Sequence, residues 1–305
     1  MPSSTPAPWR APFLTHITPL PSPTFTLATL QQQTPTLPSS SSTAAADSAD
    51  SADSTNSTAF PRARTCVFRG FWASLSPHPS NPAPLNPTGV FESDLLVFTT
   101  DGRSEKVGGL FSSGTRSSDV KDTGGKEETL QTGGGGQVEA VWWVDKPEVR
   151  TQWRVRGRAW VLGSDVEGGG EKAEEVRGVL RGRMRRLLPR DENGDWSFAR
   201  EVTAHFGNLT PLMRGTFKGP PPGVPVACGA GDGEVLAQRV EGVEDEAARR
   251  NFRVVVIVPE EVDQVDLSEE LKPRRWLYVY RGEDGKARLP GGEVIGEWEK
   301  VEVWP

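Results

Sequence analysis

QWRVRGRAWVL, residues 152–162, alternates at period two. Trp153, Val155, Gly157, Ala159 and Val161 share one face, and Arg154, Arg156, Arg158 and Trp160 share the other. VEAVWWVD (138–145) precedes it and reads as a partner strand, the two being joined by a segment with Lys146 and Pro147. TFTLATL (24–30) alternates in the same way, with Phe25, Leu27 and Leu30 as its apolar members. RTCVFRGFW (64–72), LLVFTT (95–100), NFRVVVIVPEEVDQVDL (251–267), RRWLYVYRG (274–282) and GEWEKVEVWP (296–305) complete the strand set. Helical spacing is confined to a few places. APWRAPFLTHI (7–17) puts Trp9, Phe13 and Ile17 on one face. AEEVRGVLRGRMRRLLP (173–189) carries an apolar stripe from Val176 to Leu188, and WSFAREVTAHF (196–206) follows. In LTPLMRGTFKGPPPG (209–223), Thr210 is placed as an N-cap with Pro211 at the first helical position. Strands, then helices, then strands argue against a doubly wound sheet and for an antiparallel barrel with helices packed outside.

The 33 glycines and 26 prolines in 305 residues hold the hydrophobic share to 35%, which points to disordered stretches diluting a folded part. Two are expected: 31–60, a low-complexity insertion rich in Ser, Ala and Asp, and 112–137, a flexible insertion ending in GGGG. The glycine run lacks the Gly-Lys-Ser/Thr of a phosphate loop. Around these insertions one domain is expected over 7–305.

A net charge of −6 gives no basic field for nucleic acid. Cys66 and Cys228 do not make a disulfide framework, and Cys66 reads as a buried small side chain. His16, His78 and His205 are scattered, and neither HExxH nor CxxC is present, so no metal site is expected. No run of 18 apolar residues marks a membrane span. The first residues lack a secretory pattern, and the expected compartment is the cytoplasm, with a mitochondrial presequence as the weaker alternative.

Hydroxyls and cations gather after the strand 95–100: Thr99, Thr100, Arg103, Ser104 and Lys106. Such a set suits an anion. Arg64 and Arg69 are five apart, so on a regular strand they face opposite sides and suit two different anions or two ends of one ligand.

RTCVFR (64–69) resembles the basic flavin strand of the pyridoxamine 5′-phosphate oxidase-like flavoproteins. TTDGRSEK (99–106) resembles their second flavin segment and QWRVRG (152–157) their third, in matching order. LTPLMRGTFKGPPPG and the N-terminal Pro-Trp-Arg resemble a divergent FMN-binding branch of that family. The resemblance spans roughly 7–30, 61–110, 138–220 and 250–305. It implies a mainly β fold with peripheral helices, the FMN-binding split barrel, assembled as a homodimer with FMN at the subunit interface. It further implies that Thr99 and Thr100 line the flavin, that Ser104, Lys106 and Arg64 reach its phosphate, and that the main chain of Arg64, Thr65, Cys66, Val67, Phe68 and Arg69 runs beside the ring. Gln152 would meet the polar edge of the flavin. Arg69 would face an anionic group of a small-molecule substrate, and Arg214 is a candidate contact across the shared site.

Two departures qualify the resemblance. Glu105 stands where the oxidases have a second cation, so Glu105 is expected to turn away and Arg103 to substitute for it. The oxidases' C-terminal Arg-x-His has no counterpart. FMN binding therefore survives the comparison better than pyridoxamine phosphate oxidation. The expectation is an FMN-dependent oxidoreductase with no side chain named as catalytic. A non-catalytic flavin carrier or sensor is the alternative, and a haem-binding barrel a third reading disfavoured by the lack of a placed histidine.

Overall fold

In the computed structural model the period-two segments form strands: β1 (Thr24–Gln33), β2 (Thr58–Val67), β3 (Phe91–Ser93), β4 (Leu96–Asp101), β5 (Gly133–Lys146), β6 (Val149–Leu162), β7 (Met184–Arg186), β8 (Phe252–Asp266), β9 (Arg274–Tyr280), β10 (Glu293–Ile295) and β11 (Trp298–Val303). The helices are α1 (Arg10–Ile17), α2 (Glu171–Arg181), α3 (Phe198–Gly207), α4 (Pro211–Thr216) and α5 (Glu246–Asn251). The structure describes residues 5–33, 58–111, 131–188 and 196–305.

A ring of antiparallel pairs runs β2–β1–β5–β6–β8–β4. The chain just beyond β2 closes it: Arg69 N–H donates to Val97 O at 2.7 Å and Val97 N–H donates to Gly70 O at 2.9 Å. Beyond β8 the sheet continues through β9, β11 and β10. The branch lies within β8, whose first half pairs with β4 as far as Ile257 and whose second half pairs with β9 from Glu261. Pro259 stands between the two halves, where a missing N–H is tolerated. On the other side of β8 the register shifts between Arg156 and Gly157, and a Cβ on Gly157 would lie 2.1 Å from Val258 O. Glycine is required there by backbone contact. This architecture is the mainly β split barrel with peripheral helices expected from the sequence.

The faces read from QWRVRGRAWVL hold. Trp153, Val155, Ala159 and Val161 point into the barrel. Phe13 of α1 meets Trp142 and Trp153 edge-on, with ring centroids 5.1 and 5.5 Å apart, and Phe25 stacks on Trp142 at 4.6 Å. Trp9, Phe13 and Ile17 are the buried stripe of α1, so this helix plugs the barrel as its spacing predicts. Outside, Val97, Trp160, Leu162, Val254 and Val256 form a second core with α2 and α3.

Several boundaries differ from expectation. The centres of both expected insertions, 34–57 and 112–130, lie outside the described residues. Their edges are ordered pairing: Gln31 opposes Phe60, Gln33 opposes Thr58, and Gly133–Gly136 belong to β5. The glycine run is strand because neighbours occupy the space its side chains would need. A Cβ on Gly133 would meet the Phe111 ring at 2.6 Å, and one on Gly136 would meet Leu110 O at 2.6 Å. The helix expected over 173–189 stops at Arg181, and Met184–Arg186 pairs with β3. Arg185 is drawn there by Asp94 and Glu92. Thr210 caps α4 as expected, accepting from Met213 N–H at 3.2 Å.

Candidate functional site

The end of β4 turns at Asp101 into a 3-10 helix, Glu105–Leu110, whose Val107 and Leu110 are buried against the barrel core. This anchoring folds Lys106 back over the strand end. Its Nζ donates to Thr100 Oγ1 at 3.0 Å and to Ser104 Oγ at 3.3 Å, and the two hydroxyls are 3.2 Å apart. From β2, Arg64 approaches the same place and donates through Nη1 to Thr29 Oγ1 at 2.9 Å. Cys66, two residues along on the same face, lies within the field of both cations. Burial lowers the Lys106 pKa, and the Arg64 charge lowers it further, against the opposing influence of Cys66 and Asp101. Burial raises the Cys66 thiol, while Lys106 and Arg64 act to lower it.

The partners of these cations are the informative feature. Among the described residues, neither Arg64 nor Lys106 forms an ion pair, although Lys106 is half-buried. Desolvating cations without a counter-charge is unfavourable. Two cations held by three hydroxyls offer donors without a carboxylate to compete, which is the chemistry a phosphate requires.

Other expected site residues are placed differently. Glu105 does turn away: it is exposed, accepts from Gln31 Nε2 at 2.8 Å, and lies 3.9 Å from Arg62. Arg103 does not take its place. Its guanidinium is held by Asp101 at 2.8 Å and Glu234 at 3.2 Å, and also donates to Phe217 O. Arg214 is also committed elsewhere. It is buried and donates to the main-chain carbonyls of Gly207, Leu209, Val240 and Glu241 at 2.7–2.9 Å. It ties α4 to the segment before α5. Thr99 alternates away from Thr100, on the face that carries Val97 into the outer core. Thr65 is exposed on the outer face beside Thr26, Val67 is partly covered, and Phe68 is buried against Phe13 and Trp142.

Arg69 parts from Arg64, as their spacing predicts. Its side chain makes no hydrogen bond or ion pair among the described residues, its Nε is buried, and burial lowers its pKa. Its charge acts on His205 of α3. His205 is fully buried parallel to Trp72, at a centroid distance of 6.1 Å, and burial holds its pKa down to about 3. Its Nε2 lies 3.9 Å from Glu201, whose carboxyl is pushed up by burial while Asn86 donates to it at 2.8 Å. Gln152 lies on the outer face of β6, opposite Trp143 and Val265, three strands from β2. That is roughly 14 Å across the sheet, and on the face opposite Arg64.

Thr29 was not among the residues singled out from sequence. Nothing local marks it, since it is one threonine in TFTLATLQQQ.

The barrel thus closes around an aromatic core, with Arg64 and Lys106 gathered at the hydroxyls of Thr29, Thr100 and Ser104. Residues 40–163 match the family model described as "Pyridoxamine 5'-phosphate oxidase, FMN-binding domain". The match includes Arg64, Thr100, Ser104, Lys106 and Gln152 but not Arg214. Among solved structures, a pyridoxamine 5′-phosphate oxidase-related, FMN-binding protein from Nostoc punctiforme PCC 73102 is 19% identical. The alignment covers 99% of this chain and 100% of that one, with a TM-score of 0.49. PhzG from Burkholderia lata 383, solved with tetrahydrophenazine-1-carboxylic acid, is 12% identical over 91% of this chain and 81% of its own, with a TM-score of 0.31. No curated protein matches the chain. Among the described residues no helix is long and apolar enough to cross a membrane, and no cluster of ligating side chains suits a metal ion.

Proposed function

We propose that this protein binds FMN and uses it in an oxidoreductase reaction on a small anionic substrate. The observation that carries the reading is the pair of cations, Arg64 and Lys106, partnered among the described residues only by the hydroxyls of Thr29, Thr100 and Ser104. These groups fit the phosphate of FMN, with Arg64 and Lys106 supplying charge and the hydroxyls further hydrogen bonds. When bound, the flavin supplies the redox chemistry, and the chain's own residues bind and orient it. Arg69, without a hydrogen bond or ion pair among the described residues and on the opposite side of its strand, is available for the anionic group of the substrate.

The active form in this reading is a homodimer. In this reading Gln152 serves the ligand of the other copy, because in its own chain it lies three strands from Arg64 on the opposite face of the sheet. It joins such a ligand when a second copy lays that outer face across the site. Trp143, half exposed beside Gln152, supplies an aromatic surface for this contact.

The test is a titration of purified apoprotein with FMN and with riboflavin, followed by sedimentation of the loaded protein. Preferential FMN binding by a dimer is expected. Equal affinity for the two flavins would sink the phosphate site, and a monomer with stoichiometric FMN would sink the shared one. Reduction of the bound flavin by a substrate and reoxidation in air would establish the oxidoreductase. Stable binding without turnover of any reductant would leave a flavin carrier. The compartment expected from the sequence, the cytoplasm, is tested by cell fractionation.

A further inference from the structure

We infer that Thr29 of β1 is the positioning residue of the anion site, holding the Arg64 guanidinium where a phosphate would meet it. The inference rests on the FMN reading above and adds to it a residue from a strand outside the three flavin segments.

Phe25, Leu27 and Thr29 are successive inward positions of β1, and all three are buried. The first two join the barrel core. At the third a valine would have the same shape, so the hydroxyl is what distinguishes threonine there. Thr29 is 4% exposed, and a buried hydroxyl needs a partner. It accepts from Arg64 Nη1 at 2.9 Å. In the β1–β2 register Arg64 opposes Leu27, and Thr29 opposes Arg62. The Arg64 side chain therefore runs diagonally along β1 by two residues to reach Thr29, a span only a long side chain covers. Because threonine is β-branched, its rotamer is stiff and the acceptor is fixed in place.

A second element holds Thr29 from below. Gly109 of the 3-10 helix approaches so closely that a Cβ there would lie 3.1 Å from Leu30 O and 3.3 Å from Thr29 Oγ1. The segment that presents Lys106 therefore also packs on the residue that accepts from Arg64.

An arginine on an edge strand is otherwise free to extend into solvent. Ring closure onto β4 lies beyond Arg64, at Arg69 and Gly70, and among the described residues only Thr29 hydrogen-bonds the Arg64 guanidinium. Holding a rotamer-rich side chain before the ligand arrives removes an ordering cost from binding. A lost Thr29 should thus weaken the phosphate contact without touching the flavin ring.

The experiment compares FMN and riboflavin binding by the full chain for wild type, Thr29→Val, Thr29→Ser, Gly109→Ala, Arg64→Ala and the Thr29→Val/Arg64→Ala double variant. Thr29→Val is expected to weaken FMN by about 2- to 10-fold, the range of one net hydrogen bond, and to leave riboflavin unchanged. Thr29→Ser should bind FMN nearly as wild type does, and Gly109→Ala should behave like Thr29→Val. In the Arg64→Ala background, Thr29→Val should have no further effect, which a merely structural role would not produce. Wild-type affinity in Thr29→Val, an equal loss for both flavins, or additive losses in the double variant would overturn the inference. If wild type itself shows no preference for FMN, the phosphate-site reading fails along with it. If wild type prefers FMN and Thr29→Val does too, only the role of Thr29 fails.

Discussion

Replacing Lys106 with methionine removes the charge and keeps most of the aliphatic stem. In the structure the Lys106 ammonium donates to Thr100 Oγ1 and Ser104 Oγ and has no carboxylate partner among the described residues. A charge-assisted hydrogen bond to a phosphate contributes about 1.5–3 kcal/mol. At 1.4 kcal/mol per decade, this is about 10- to 150-fold in FMN affinity. Half-burial favours the upper part of that range, because a partly desolvated charge is less screened. Arg64 partly offsets the loss, since its repulsion with Lys106 disappears in the variant. An expected loss of about 30-fold results. The assay is quenching of flavin fluorescence, with FMN and riboflavin titrated in parallel at low and moderate salt. Riboflavin affinity should stay within about twofold, for it brings no phosphate to the site. An FMN loss below about threefold, or an equal loss for riboflavin, would refute the assignment of Lys106 to the phosphate.

Three further outcomes are expected. His205 is held neutral, with its pKa down at about 3 against an ordinary 6.5, so the unfolded chain takes up its proton first as pH falls. Stability should decline by about 1.4 kcal/mol per pH unit from roughly pH 6.5 downward. Glu201, pushed up by burial, acts in the opposite sense and contributes most at low pH. Urea unfolding at pH 6.5 and pH 5 should show His205→Phe less acid-sensitive than wild type, and parallel slopes would count against a buried neutral imidazole. Arg214→Met should cost about 3 kcal/mol or more by leaving several buried carbonyls unpaired, read as a lower urea midpoint. Joining β1 to β2 by a short Gly-Ser link in place of 36–55 should preserve the fold, because Gln33 and Thr58 are already register partners and loop length contributes little. Loss of soluble protein would show that the replaced stretch is structural.

What could be read from the sequence is what depends on neighbours a few residues apart. The alternation of Trp153, Val155, Ala159 and Val161 fixed the barrel-facing side of β6. The spacing of Trp9, Phe13 and Ile17 marked the plug helix, and Thr210–Pro211 marked the start of α4. Thr100, Ser104 and Lys106 were legible as a cluster of hydroxyls and a cation because the seven residues 100–106 carry all three. Parity alone separated Arg64 from Arg69. Tertiary structure decided the rest. Arg103 and Lys106 look alike in sequence, yet Glu234, far along the chain, joins Asp101 in holding the Arg103 guanidinium, while Lys106 meets only hydroxyls among the described residues. Arg214 reads as a free cation until the carbonyls of Val240 and Glu241 close around it. The glycine run 133–136 reads as a linker, but Phe111 and Leu110 fill the space above it and make it strand. Thr29 had no signal at all. Its partner Arg64 is 35 positions away, and only the pairing of β1 with β2 brings its hydroxyl to the guanidinium. Local pattern fixes which face a residue occupies, whereas the partner of a long charged side chain is chosen by whichever distant oxygen the fold brings within reach.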